Sequence, residues 1–254
     1  MAPALFEDEY YDILRKARSG LGLSRLDAAA AAKMRPEELD ELEAGGKMID
    51  EPKLRALASA LGLSAAKLAS LALRPEPPRK LKVRDPFARL EVGANAYILG
   101  DPASKECAIV DPGGDAPAIA SEIERLKLKL VAILVTHGHG DHTGALGALR
   151  SRFPSASIIN ASGREIRIGA LSGRGRPVPG HTSDSVVFIF DDPGVAFTGD
   201  ALFARSLGGA VDYRTLLDRV KREILSLPPG MVLCPGHGPM TTVFDELRHN
   251  PFYP

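Results

Sequence analysis

Thr136-His137-Gly138-His139-Gly140-Asp141-His142 places three imidazoles and a carboxylate within seven consecutive residues. Imidazole nitrogen and carboxylate oxygen suit borderline divalent metals such as zinc. Gly138 and Gly140 let the backbone bend, so that neighbouring side chains converge instead of alternating across a strand. The preceding run, Leu130-Val131-Ala132-Ile133-Leu134-Val135, is apolar, β-branched and of strand length, which predicts a buried strand. Residues Thr143 to Arg152 read as a helix. The donors therefore fall between the carboxyl end of a strand and the start of a helix, the topology of an active-site loop.

The remaining histidines extend the pattern. His181 lies in Pro179-Gly180-His181-Thr182 and His237 in Pro235-Gly236-His237-Gly238, both turn sequences. Asp200 follows the short apolar strand Val195-Ala196-Phe197-Thr198-Gly199. Only His249 falls outside such a setting. Any one of these histidines reads best as an ordinary surface or core residue, but the combination predicts a metal centre.

The chain has 254 residues and a formal net charge of 0, long enough for one sizeable domain plus a small module. That balance gives no electrostatic argument for nucleic acid or an acidic membrane as partner. Cys107 and Cys234 each sit in or beside an apolar run, which predicts buried free thiols in a reducing compartment. Met1 to Ala4 leads directly into Glu7-Asp8-Glu9 without an apolar leader, and no run approaches membrane-spanning length. The expectation is a cytoplasmic protein without a membrane partner.

The composition changes near Arg74. Residues 1–74 repeat alanine and leucine at helical spacing, with helices expected at Tyr10–Ser19, Ser24–Ala32, Pro36–Glu43, Glu51–Leu61 and Ser64–Leu71. Ser24 and Ser64 are expected N-caps, Pro36 suits a first turn, and Gly20, Gly45 and Gly62 are expected stops. Residues 75–81 form a proline-rich linker that cannot continue a helix. Residues 82–254, the expected catalytic domain, alternate short apolar runs with helical segments. Strands are expected at Ala96–Leu99 and Cys107–Val110 around a Gly100-Asp101-Pro102 turn, and helices at 116–126 and Tyr213–Leu225. Val186–Phe190 and Val195–Phe197 read as a hairpin, Met231–Leu233 as the strand that delivers His237, and the chain should end in a short helix.

The first quarter resembles the helix-turn-helix domain of phage-repressor-like regulators, on Gly22-Leu23-Ser24 and Ser59-Ala60-Leu61-Gly62-Leu63-Ser64. Its third helix carries Glu37, Glu38, Asp40, Glu41 and Glu43, a charge that repels DNA phosphates. Arg15, Lys16, Arg18, Arg25, Lys33 and Arg35 could form a basic patch elsewhere. The module is expected to cover the catalytic domain or to mediate a homodimer rather than to bind nucleic acid.

His-x-His-x-Asp-His at 137–142, with His181, Asp200 and His237, resembles the metallo-β-lactamase superfamily. Within it, Asp111-Pro112-Gly113-Gly114, Gly199-Asp200-Ala201-Leu202-Phe203 and the tail with His249-Asn250-Pro251-Phe252 are similar to short glyoxalase II-like hydrolases. The resemblance implies an α+β chain: an αββα sandwich preceded by a small all-α helix-turn-helix-like domain. It implies that His137, His139 and His181 hold a first metal and that Asp141, His142 and His237 hold a second. Asp200 would bridge the two, and Asp111 would orient the motif loop from behind. The implied cofactors are two divalent ions, zinc first, with iron or manganese as alternatives. The implied activity is hydrolysis of a small thioester or ester by metal-activated hydroxide, with Asp141, Asp200 and Asp111 as catalytic carboxylates.

Three features depart from those hydrolases: the short interval between His142 and His181, Thr182-Ser183-Asp184-Ser185 after His181, and Ala204 to Ala210 after Phe203. Arg164, Arg167, Arg174 and Arg176 among glycines suggest an exposed loop, either simply solvated or contacting an anionic small-molecule substrate. Two other functions compete. One is a persulfide dioxygenase-like enzyme with a single iron; the other is a metal- or metabolite-sensing regulator that binds DNA.

Overall fold

The computed structural model describes residues 5–45, 50–161, 163 and 165–254. Five short helices open the chain: α1 (Tyr10–Gly20), α2 (Arg25–Ala31), α3 (Pro36–Glu43), α4 (Glu51–Ala60) and α5 (Ala65–Leu73). Each is too short to persist alone, so packing of its apolar face holds it. Ile13, Leu14, Leu39, Leu42, Leu54, Leu57 and Leu68 are fully buried between them. Ser24 caps α2 by accepting from the Asp27 amide, and Pro36 starts α3, as expected. Two expectations fail. Gly20 lies inside α1, and the left-handed residue that ends that turn is Gly22 (φ 69°). Ser64 makes no side-chain cap; its amide donates instead to the Pro251 carbonyl at 2.8 Å, which ties α5 to the chain's end.

Residues 74–86 carry neither helix nor strand. Beyond them two sheets stack. The first orders β1 (Phe87–Val92), β2 (Ala94–Gly100), β3 (Glu106–Val110), β4 (Lys129–Leu134) and β5 (Ser157–Ile159) side by side. β3, β4 and β5 run parallel, while β1 and β2 are antiparallel to their neighbours. The second sheet contains β6 (Glu165–Ile168), β7 (Leu171–Pro177), β8 (Val186–Phe190), β9 (Val195–Gly199), β10 (Val232–Pro235) and β11 (Thr241–Thr242). Its order is β11-β10-β9-β8-β7-β6, with β9 and β10 parallel.

Side-chain alternation divides each strand between two cores. Tyr97, Leu99, Val110 and Leu134 face Phe188, Phe190 and Phe197 between the sheets. Ile98, Cys107, Ile109 and Ile133 face outward under α6 (Ala116–Arg125), where Ile119 and Ile123 cover them. Each fully buried phenylalanine contributes about 1.5–3 kcal/mol relative to exposure. Both cysteines are buried free thiols, and burial pushes Cys107 up to about 12.

The outer face of the second sheet, with Val187, Ile189, Ala196 and Leu233, packs under α9 (Tyr213–Arg219) and its π-helical continuation Val220–Ile224. The five N-terminal helices join that same core without a break. Their docking is specific: Lys16 Nζ donates to the Leu207 carbonyl at 2.7 Å, and Ser206 Oγ donates to Asp8 at 2.6 Å. The whole is an all-α helix-turn-helix-like region followed by an αββα sandwich.

Two loop expectations need correction. The helix expected at 143–152 is split into α7 (Gly140–Thr143) and α8 (Leu146–Arg152), so Asp141 and His142 lie within a helical turn. The arginine-rich segment is not an exposed loop but the β6–β7 hairpin, whose alternating Ile166, Ile168 and Leu171 are buried. Arg167, Arg174 and Arg176 pair with Glu165, Asp191 and Glu223. Arg164 lies outside the described residues.

Candidate metal centre

Four of the site's loops leave the carboxyl ends of strands: Asp111 after β3, His137 and His139 after β4, Asp200 after β9 and His237 after β10. His181 comes from the turn between β7 and β8. The parallel pairs β3–β4 and β9–β10 bring these loops to one edge of the sandwich, where an open α/β arrangement gathers ligands.

Three ring nitrogens meet there. His137 Nε2 lies 3.0 Å from His139 Nδ1 and 3.3 Å from His181 Nε2, and the latter two are 3.1 Å apart. Zinc–nitrogen bonds of about 2.0–2.1 Å in a tetrahedron would set such nitrogens about 3.3 Å apart. Asp200 completes this group, and Asp141, His142 and His237 form a second, each with its donor atoms within 4.8 Å of one another. His237 Nε2 stands 3.2 Å from Asp141 Oδ2. Asp200 faces both groups: its Oδ2 is 3.7 Å from His181 Nε2 and 3.7 Å from His237 Nε2, and its Oδ1 is 3.2 Å from His142 Nε2.

His142 Nε2 and Asp200 Oδ1 are buried without a hydrogen-bond partner among the described residues. Unpaired buried polar atoms are costly, and here both point into the donor cluster. A cation between them satisfies both, so this donor set fits a pair of metal ions.

Hydrogen bonds fix which nitrogens face inward. Asp111 Oδ2 accepts from Thr136 Oγ1 at 2.7 Å and pairs with His142 Nδ1 at 2.9 Å, while Oδ1 accepts from the Thr136 amide at 2.8 Å. Thr136 Oγ1 in turn takes the Nδ1 proton of His137 at 3.0 Å. His181 Nδ1 donates to the Gly209 carbonyl. In each imidazole the bonded nitrogen holds the proton, which leaves the other nitrogen's lone pair for the centre. Thr136 was not singled out from sequence; its place directly before the motif was the one signal.

The electrostatics follow from burial and neighbours. Burial opposes charge on His142, but the Asp111 bond and the Asp200 carboxylate outweigh it and lift it to about 10. Burial, reinforced by charged His142, drops His137 to about 3. Burial also lowers His181. For Asp200 burial works upward, yet His142 wins and holds the carboxyl below its ordinary value.

The centre is closely walled. A Cβ on Gly236 would lie 2.2 Å from Asp200 Oδ1, and the Phe203 ring stands 5.7 Å from that of His237. A cavity of about 420 Å³ opens beside His237, bounded by Phe6, Glu7, Arg89, Glu91 and Pro239. Asn95 anchors this side: its amide donates to the Gly236 carbonyl at 2.7 Å, and its Nδ2 to those of Pro235 and Gly238, each at 2.9 Å.

The metallo-beta-lactamase superfamily model matches residues 89–177 and 162–248, and a helix-turn-helix model matches 14–68. The chain belongs to the metallo-β-lactamase superfamily, with a hydrolase-type active-site architecture. It is 31% identical over 195 residues to hydroxyacylglutathione hydrolase GloC of Haemophilus influenzae, covering 62% of this chain and 92% of that one. It is 35% identical over 177 residues to the mitochondrial persulfide dioxygenase ETHE1 of Homo sapiens, covering 61% of this chain and 69% of that one. A solved structure, TTHA1623 in a di-iron-bound form, superposes with a TM-score of 0.57 at 27% identity, covering 65% of this chain and 98% of the other.

Proposed function

We propose that the chain is a dinuclear metallohydrolase of small thioesters or related esters, with zinc as its first metal. The observation that carries this is Asp200, which faces two complete donor groups rather than one. His137, His139 and His181 hold one cation, and Asp141, His142 and His237 hold the other. Bound there, two divalent cations supply the charge that brings water ionisation toward neutral pH and polarises an acyl carbonyl. Asp111 and Thr136 orient the imidazoles from behind. Asp141, half exposed beside His237, is the carboxylate that would accept a proton from attacking water. Phe203 and Phe6 form the apolar wall that limits solvent on the His237 side.

A mononuclear iron persulfide dioxygenase is the second reading, favoured by the likeness to ETHE1 and opposed by the complete Asp141–His142–His237 group. As for the helical module, we assign it a covering role. Arg15, Arg18 and Arg25 are spent on Asp12, Glu43 and Asp40, while Glu37, Asp40 and Glu41 stay exposed on α3, an unfavourable surface for DNA. Among the described residues no helix is long and apolar enough to cross a membrane.

Metal quantification on the purified protein, followed by a panel of thioesters, lactones, β-lactams and phosphodiesters, tests the proposal. Two divalent ions per chain, thioester turnover, and loss of turnover in Asp200→Ala are expected. One iron per chain with oxygen consumption on glutathione persulfide would overturn it.

A further inference from the structure

Phe6 borders a second cavity, of about 300 Å³, that shares no residue with the metal centre. Its walls come from the N-terminal segment, the proline-rich linker, the loop after Phe203, and α10 (Val243–His249). Arg79, Arg205, Arg248 and His249 line it beside apolar Phe6 and Met240.

Arg205 is the informative member. Its φ of 63° puts a non-glycine residue in the left-handed region. Both Glu246 carboxylate oxygens accept from its amide, at 2.9 and 3.1 Å, and so hold that conformation. Glu246 is fully buried and also bonds Thr241 and Asn250, each at 2.8 Å. The fold thus fixes an unfavourable backbone geometry that directs Arg205 toward this cavity.

The Arg205 guanidinium is half-buried over the Phe6 ring, 4.5 Å from its centroid. Among the described residues no carboxylate pairs with it within 4.0 Å; Arg248 has none either. Glu246, Glu76 and Asp245 face Arg205 from farther off, but Glu246 is taken by the Arg205 amide, Thr241 and Asn250, and Asp245 by Arg79 and Thr242. A half-buried guanidinium without a close acceptor is unfavourable by itself, and a bidentate phosphate or carboxylate relieves it. Burial, with Arg205 and Arg248 nearby, keeps His249 below its ordinary proton affinity against the pull of Asp245.

Phe6 is common to this cavity and to the one beside His237. We propose that the second cavity recognises the anionic end, phosphate or carboxylate, of the substrate's leaving group, whose stem passes Phe6 on its way to the metal centre. This assignment rests on the thioester reading above.

Calorimetric binding to the full metal-loaded chain tests it with three non-hydrolysable thioethers: S-methyl-coenzyme A, S-methylglutathione and neutral S-methyl-N-acetylcysteamine. An anionic probe should bind at least about tenfold tighter than the neutral one and weaken with added salt. Preference for the first anionic probe marks phosphate recognition, and for the second carboxylate recognition. Arg205→Gln and Arg248→Ala should each remove most of the preference with metal content unchanged. Arg248 is exposed on α10, so its variant folds even if the Arg205 variant does not. Equal binding of all three probes, or a preference that survives in Arg248→Ala and Arg205→Gln, overturns the subsite. Anionic binding without turnover of any thioester would refute the hydrolase instead, and turnover of neutral thioesters without anionic preference would refute only the subsite.

Discussion

The carboxylate of Asp111 reaches one imidazole of each donor group: His142 directly at 2.9 Å, and His137 through the Thr136 hydroxyl. Because one residue sets the tautomer on both sides, its loss should loosen both sites together. Asp111→Asn replaces an acceptor with a donor facing the Nδ1–H of His142 or the Thr136 amide. Metal affinity should fall by about 10–100-fold. Thr136→Val, which cuts only the link to His137, should weaken the first site more than the second. Competition with a calibrated chelator measures both; unchanged affinities in Asp111→Asn would show that the bond merely fills space.

Gly236 leaves no room for a side chain between Asp200 and His142, since an added Cβ would stand 2.2 Å from Asp200 Oδ1 and 2.5 Å from His142 Cε1. Gly236→Ala should therefore displace groups that belong to the centre while leaving the sheets intact. The expected outcome is a drop in bound metal and a thermal midpoint that no longer rises on adding zinc. In the native chain, ligand at about a thousand times its dissociation constant adds about 4 kcal/mol of stability. Elemental analysis with and without zinc, beside calorimetric melting, separates the two effects; a full metal complement in the variant would contradict the packing argument.

The centre was legible in sequence because its donors are unusual residues at strand ends, where Gly and Pro mark the turns. Leu130–Val135 and Val195–Gly199 announced their strands through unbroken apolar runs. What sequence missed lacks that signal. β6 and β7 carry arginine on their outward face, and after Ile166, Ile168 and Leu171 the inward positions are the glycines Gly173 and Gly175, so a half-buried hairpin looked like a polar loop. Gly20 looked like a helix stop, but its role is tertiary. Arg205 carried no local mark at all, because its conformation is imposed by Glu246, 41 residues later in the chain.

Gly20 and Tyr213 lock the helical region to the sandwich. A Cβ at Gly20 would fall 2.3 Å from Tyr213 Cγ, so α1 can approach α9 only because that position is bare. Gly20→Leu should cost about 1–3 kcal/mol through overpacking, and should loosen the docking before it unfolds the sandwich. Limited proteolysis is then expected to cut within residues 74–86 faster than in the native chain. Pairing the change with Tyr213→Ala, which vacates the space, should recover part of the loss. Cleavage at the native rate in Gly20→Leu would mean that the docking does not depend on this contact.

Glu246 gives the chain a pH-dependent stability separate from the metal centre. Burial raises its carboxyl to about 7, against the opposing pull of Asn250, Thr241 and the Arg205 amide. A group whose folded value lies above its unfolded one favours the fold while protonated. Its contribution is thus complete below about 4.5 and is lost as pH rises through about 7. The shift from 4.5 to about 7 bounds the loss at roughly 3 kcal/mol. Glu246→Gln stays neutral throughout, so its stability relative to the native chain should rise between pH 5 and pH 8, about the window that these two values span. Metal affinity changes with pH too, but alike in both proteins, so the difference between their denaturant midpoints isolates Glu246. Parallel profiles across that window would mean that the carboxylate stays ionised, held by its three donors more firmly than burial opposes it.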